Sequence, residues 1–205
     1  MPLHEVQLIG TAVFAVTGVL AVNRRGLDAF GAVVLGIVTA LGGGTVRDVV
    51  LNVPVFWLQD LSYVWVAIAA GLVTFFADRT VRSTYTLLLY LDALGAALFG
   101  VQATEKVLTL QHGATVAVMM GILTSIGGGL VRDILAGRPT LLMSREIYAT
   151  PILIGCSLSV VLWPYKTDHR VLTVLAIAVI FAIRASAIHW RIMMPRWLTH
   201  TDDPR

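Results

Sequence analysis

Two short runs carry the residues best suited to chemistry: Gly42-Gly43-Gly44-Thr45-Val46-Arg47-Asp48 and Gly127-Gly128-Gly129-Leu130-Val131-Arg132-Asp133. Glycine in a helix interior costs about 1 kcal/mol relative to alanine. It also permits a kink or an unwound turn that larger residues resist. Each triplet therefore predicts a break, with the Arg-Asp pair on the helix segment beyond it. Arg47 and Arg132 could pair with Asp48 and Asp133, reach across to the other run, cap loosened carbonyls, or face a permeant species. Asp92, inside the apolar stretch Leu87–Phe99, reads as a hydrogen-bond partner for a neighbouring helix or as a cation attractor. Thr17, Thr39, Thr124 and Ser125 could turn hydroxyls toward a pathway or bond back to their own helices. His112, His169, His189 and Cys156 are scattered and compose no metal set. The glycine runs lack the Lys-Ser/Thr of a phosphate-binding loop, and no nucleophile–base constellation is visible. The sequence predicts no enzyme, no cofactor and no tightly bound metal.

These residues must be positioned by helices in lipid. The 205 residues are 57% hydrophobic and only 13% charged, against about 25% charged in soluble domains, and the mean hydropathy is +0.82. A chain this short has no interior large enough to hide so much apolar surface from water. Its basic balance, +3 at pH 7, is explained by basic residues gathered in short loops at a cytoplasmic membrane face, and nucleic-acid binding is not expected.

A spanning helix needs about 20 mainly apolar residues. Seven candidates follow along the chain: Val6–Val22, Leu27–Leu51, Tyr63–Ala77, Tyr85–Thr104, Gly113–Ala136, Ile147–Trp163 and Val171–Trp190. Seven spans put the termini on opposite sides. With the N-terminus outside, the inner loops hold Arg24, Arg25, Arg79, Arg82, Arg138, Arg145, Arg191, Arg196 and Arg205. The outer loops hold only Lys106, Lys166 and Arg170. That asymmetry predicts the N-terminus outside and the C-terminus in the cytoplasm, in a prokaryotic inner membrane.

The two glycine runs also reveal a duplication. A constant offset of 85 residues, without a gap, pairs Gly10 with Gly95, Phe14 with Phe99, Gly36 with Gly121, Thr39 with Thr124, Pro54 with Pro139 and Tyr63 with Tyr148. Each unit holds three spans, an odd number, so the second starts on the face where the first ended and the repeats are inverted. The expected fold is all-α: a single membrane domain over residues 1–205, with repeat one at 6–78, repeat two at 84–164 and an extra seventh helix at 170–191. Paired breaks in corresponding spans of inverted repeats point to a binding or conduction site near the midplane. The alternative is that the glycines serve close helix packing.

The doubled GGGxxRD, together with Phe14–Gly18, Leu91–Gly95 and Pro54/Pro139, resembles the prokaryotic branch of the trimeric intracellular cation (TRIC) channels, to which bacterial sequences with a glycine-transporter label are related. The resemblance implies a homotrimer with a pore in every protomer, passing monovalent cations, chiefly potassium and also sodium. The pore would centre on kinks at Gly42–Gly44 and Gly127–Gly129, flanked by Arg47, Asp48, Arg132 and Asp133. Weighed against a potassium-permeable channel are two alternatives. One is a secondary transporter for a small amino acid such as glycine, since a half-helix N-terminus beside an arginine binds a carboxylate well. The other, a structural membrane scaffold, leaves the doubled Arg-Asp unexplained.

Overall fold

Apolar segments, each ending at charged or turn-forming residues, become eight α-helices among the residues that the computed structural model describes, 3–22, 26–78, 85–144, 146–165 and 169–194. The helices are α1 (Leu3–Val22), α2 (Ala29–Val50), the one-turn α3 (Phe56–Gln59), α4 (Ser62–Asp78), α5 (Tyr85–Thr109), α6 (Ala114–Leu135), α7 (Ala149–Leu162) and α8 (His169–His189). Five of them, α1, α2, α5, α6 and α8, are long and apolar enough to cross a membrane, while α4 and α7 are shorter apolar helices. The loop cations Arg24, Arg25, Arg79, Arg82, Arg145, Lys166, Arg196 and Arg205 lie outside the described residues.

Local chemistry sets the helix ends. Asp28 caps α2, its Oδ1 accepting from the Gly31 amide at 2.8 Å, which satisfies one of the free first-turn donors. Beyond α2 the chain turns at Asn52 (φ 53°), and beyond α6 at Gly137 (φ 56°). These left-handed positions are equivalent in the two repeats, and a proline follows each two residues on. Such a residue followed by proline stops a helix abruptly. At the start of α4, Asp60 Oδ1 accepts from the Ser62 amide at 2.9 Å and Oδ2 meets His4 Nε2 at 2.7 Å. The hydrogen bonds from Ser62, with His4 added, hold this exposed carboxyl down at about 2.

Packing reverses the distribution of a water-soluble domain. Phe30, Trp65, Val73, Ile134, Val161 and Val174 are exposed, while Arg47, Asp48, Asp92, Arg132, Asp133 and Arg184 are buried. Among the five long helices α5 is the most enclosed and α8 the least. The α5 helix packs against α1, α6, α7 and α8, and α2 packs against α1, α4 and α6.

Contacts are exchanged reciprocally between the halves. The Phe14 and Phe99 rings, equivalent in the repeat, stack on each other with centroids 5.4 Å apart and planes 6° from parallel. Phe14 fills the space above Gly95, and Phe99 the space above Gly10. Moving from residue 10 to 14 on α1 therefore moves from 99 to 95 on α5, so the equivalent helices run antiparallel. These reciprocal contacts follow a two-fold pattern that reverses helix direction. The α8 helix stands outside this relation.

Candidate functional site

Where α2 crosses α6, backbone meets backbone. A Cβ on Gly43 would collide with the Thr124 carbonyl oxygen, and one on Gly128 with the Thr39 carbonyl oxygen. Because Thr39 and Thr124 are themselves equivalent, this is the same contact made twice. Gly127 lies against Gly43, a Cβ there standing 3.4 Å from the Gly43 Cα, whereas Gly42 faces open space. Gly44 is covered by the Phe56 ring, and the place of a Gly129 Cβ is ringed by Asp92 Oδ1, Tyr148 Oη and Arg132 Nη2.

The expected unwinding at the triplets is not found. Both helices continue as α-helix through Gly42–Gly44 and Gly127–Gly129. The physical reason lies in the crossing: absent side chains let the two backbones touch, so intact helices gain packing on each other and no amide has to be freed into hydrocarbon, where it would cost several kcal/mol.

One turn further along, the Arg-Asp pairs form two related clusters. Arg47 Nε donates to Asp48 Oδ1 at 2.8 Å, and Arg132 Nε to Asp133 Oδ1 at 2.9 Å. The second carboxylate oxygen of each aspartate accepts a backbone amide eight residues on: Phe56 at 2.9 Å for Asp48, Leu141 at 3.2 Å for Asp133. The aspartates thus tie down the chain that follows each proline, and the arginines neutralise them at burial levels where a lone charge is prohibitive. Arg47 also stacks over Phe56, its guanidinium carbon 5.7 Å from the ring centroid.

The clusters differ in their third member. In the second half Arg132 Nη1 donates to Asp92 Oδ1 at 2.7 Å, both side chains being fully buried. The position equivalent to Asp92 is Gln7, whose Oε1 accepts from Tyr63 Oη at 2.5 Å. In the first half the added partner is Lys106, whose Nζ lies 2.6 Å from Asp48 Oδ1. Lys106 is therefore not a loop residue as the sequence suggested. The α5 helix runs to Thr109, and the lysine reaches from it across to α2, the one link between an acid of repeat one and a base of repeat two among the described ion pairs.

Of the polar residues singled out from sequence, Thr17, Thr39 and Ser125 return their hydroxyls to their own helices, to the carbonyls of Phe14 (2.8 Å), Leu35 (2.7 Å) and Ile122 (3.0 Å). Thr124 Oγ1 is buried with no protein partner among the described residues, as are Asp92 Oδ2, Arg132 Nη2 and both amide atoms of Gln102. Gln7, Tyr63, Gln102, Lys106, Tyr148 and Arg184 were not picked out as site residues. Tyr63 and Tyr148 carried a signal, being matched in the repeat, and extending the same offset three residues upstream of Gly10 pairs Gln7 with Asp92.

Buried charge clusters between apolar helices, with apolar side chains facing outward, define an integral membrane protein of all-helical fold. The family model described as Glycine transporter matches residues 5–79 and again residues 89–164. A UPF0126 membrane protein of Vibrio cholerae is 38% identical over 197 residues, spanning 94% of this chain and 82% of its own length. The UPF0126 inner membrane protein YadS of Escherichia coli is 36% identical over 198 residues, spanning 95% and 96%. The crystal structure of the TRIC trimeric intracellular cation channel orthologue from Rhodobacter sphaeroides superposes with a TM-score of 0.88 at 36% identity, covering 93% of this chain and 98% of that one. The chain belongs to the prokaryotic TRIC family, whose sequence model carries the glycine-transporter description.

Proposed function

We propose that the chain conducts monovalent cations, potassium foremost and sodium with it, along a passive pathway inside each protomer at the α2–α6 crossing. The carrying observation is a set of buried polar atoms with no protein partner among the described residues: Thr124 Oγ1, the Gln102 amide and Asp92 Oδ2. Buried polar atoms are almost always paired with protein or water, so these call for water between helices whose outer faces are apolar. The arginines are neutralised by Asp48, Asp92 and Asp133, which leaves carboxylate, hydroxyl and amide oxygens free to replace part of an ion's hydration. On this reading the pathway runs beside Gly42–Gly44 and Gly127–Gly129, of which Gly43, Gly127 and Gly128 make the close crossing, and Arg47, Asp48, Arg132, Asp133, Asp92, Thr39, Thr124 and Ser125 flank it. The cation specificity is drawn from the R. sphaeroides neighbour, which is itself a cation channel.

The same reading extends to architecture. The described helices other than α3 make seven crossings, α4 and α7 being short ones. Residues 6–78 and 84–164 are inverted in the membrane, the N-terminus is outside and the protein is a homotrimer in a bacterial inner membrane. The antiparallel pairing of the equivalent α1 and α5 supports inversion, and the trimeric neighbour supports the assembly.

The alternative, secondary transport of a small amino acid such as glycine, is favoured by the family description. Its physical basis was a half-helix N-terminus beside an arginine. Continuous helices and paired arginines remove that basis. Reconstitution into planar bilayers and liposomes separates the two. Unitary currents that follow the potassium gradient support the channel, and saturable uptake of labelled glycine without such currents overturns it.

A further inference from the structure

The second half of the molecule buries one more negative charge than its arginine balances. Arg132 is flanked by Asp92 and Asp133, whereas Arg47 has Asp48 alone and Tyr63 bonds the neutral Gln7. Repeat two contains no second buried base among the described residues. A further buried positive charge comes from outside the repeat, on α8. Arg184 is 0% exposed, and its Nη1 donates to the Ile147 carbonyl at 2.9 Å. Its guanidinium carbon lies 4.6 Å from the centroid of the Tyr148 ring. No described carboxylate stands within ion-pair distance of it, and its Nε and Nη2 have no protein partner among the described residues.

The Tyr148 ring connects this cation to the crossing. One face meets Arg184, while the hydroxyl stands with Asp92 Oδ1 and Arg132 Nη2 around Gly129, at 3.3, 3.1 and 3.5 Å from where its Cβ would be. A guanidinium over an aromatic face is held by the ring quadrupole, and in a low-dielectric interior its charge acts across the thickness of one side chain. In the first half the ring equivalent to Tyr148, Tyr63, is flanked instead by the rings of Phe56 and His4.

We propose that Arg184 is a positioning residue of the Asp92–Arg132–Asp133 cluster: it supplies the charge that balances Asp92 and clamps Tyr148 so that the hydroxyl and carboxylate stay at the Gly129 crossing. The α8 helix, which the repeat does not explain, is then required because repeat two has an aspartate where repeat one has a glutamine. Charge balance stands without the proposed conduction; only the effect on current rests on that reading.

The test is a double-mutant cycle on the full chain in lipid: Arg184→Gln, Asp92→Asn, both together, and Arg184→Lys. Each neutral single variant leaves one buried charge unbalanced and lowers the thermal midpoint by several degrees. The double variant is balanced again and recovers at least half of the larger loss, and Arg184→Lys, which keeps the charge, stays above Arg184→Gln. Losses that add in the double variant, or a double variant that fails to fold as Arg184→Gln does, overturn the proposal. The second readout is potassium conductance at low salt. Arg184→Gln raises it about two-fold, Asp92→Asn lowers it, and the double variant falls between. Folded variants with wild-type conductance would reduce Arg184 to a packing residue. A wild type without currents sinks the channel reading and leaves the stability cycle to decide the charge balance.

Discussion

Gly43 and Gly128 are equivalent residues of the two repeats, and they meet each other: a Cβ on Gly43 would stand 3.3 Å from the Gly128 amide nitrogen. Each also opposes the carbonyl of the other half's threonine, Thr124 or Thr39. A side chain added at either glycine therefore meets the backbone of the other half at the same crossing.

Alanine scanning of the triplets will therefore separate neighbouring glycines. Gly43→Ala or Gly128→Ala drives a methyl into backbone that has no rotamer to yield, and overpacking of this kind costs about 1–3 kcal/mol. Gly42→Ala enters open space and gains helix propensity of about 1 kcal/mol. Thermal unfolding of the three variants should place Gly42→Ala at or above wild type and the other two below it. Equal losses at all three positions would mean that the crossing is not what the glycines serve.

The two arginines should not be interchangeable, although the repeat places them equivalently. Arg132→Ala strands two buried carboxylates, and removing one partner of a buried pair costs roughly 3–5 kcal/mol. Arg47→Ala leaves Asp48 with Lys106, so the loss should be smaller. Arg47→Ala combined with Lys106→Ala should then approach the Arg132→Ala loss. Equal midpoints for the two single arginine variants would contradict the asymmetry between Gln7 and Asp92.

Orientation is open to direct assay. On the proposed seven crossings, a reporter fused after Arg205 should read as cytoplasmic and one placed ahead of Met1 as external. Matching signals at the two ends would require an even number of crossings, most simply by one of the short helices α4 and α7 failing to span.

Assembly is tested by mass. The detergent-solubilised protein, corrected for bound detergent, should contain three 22.1 kDa chains. A stable dimer would remove the trimer expectation, and pores confined to single protomers would then need to be shown in that state.

The order of the elements was legible from the chain alone. Apolar segment length located the five long helices and the shorter α4 and α7 to within a few residues at most ends, since a segment that must satisfy its backbone in lipid has few choices besides helix. The duplicated Gly-Gly-Gly and Arg-Asp runs identified the equivalent helices, and the residues of the crossing with them. The tertiary structure decided what those residues do. Local glycine energetics predicted broken helices, but the approach of a second glycine helix makes the continuous form favourable, and that neighbour comes from 85 residues away. Arg47 and Arg132 look identical in their motifs. Only the fold brings Lys106 to one cluster and Asp92 to the other, and only the fold carries α8 across the second half so that Arg184 stands against Tyr148. Charges separated by 40 and 58 residues interact through space at a few ångströms, and no spacing along the chain records that distance.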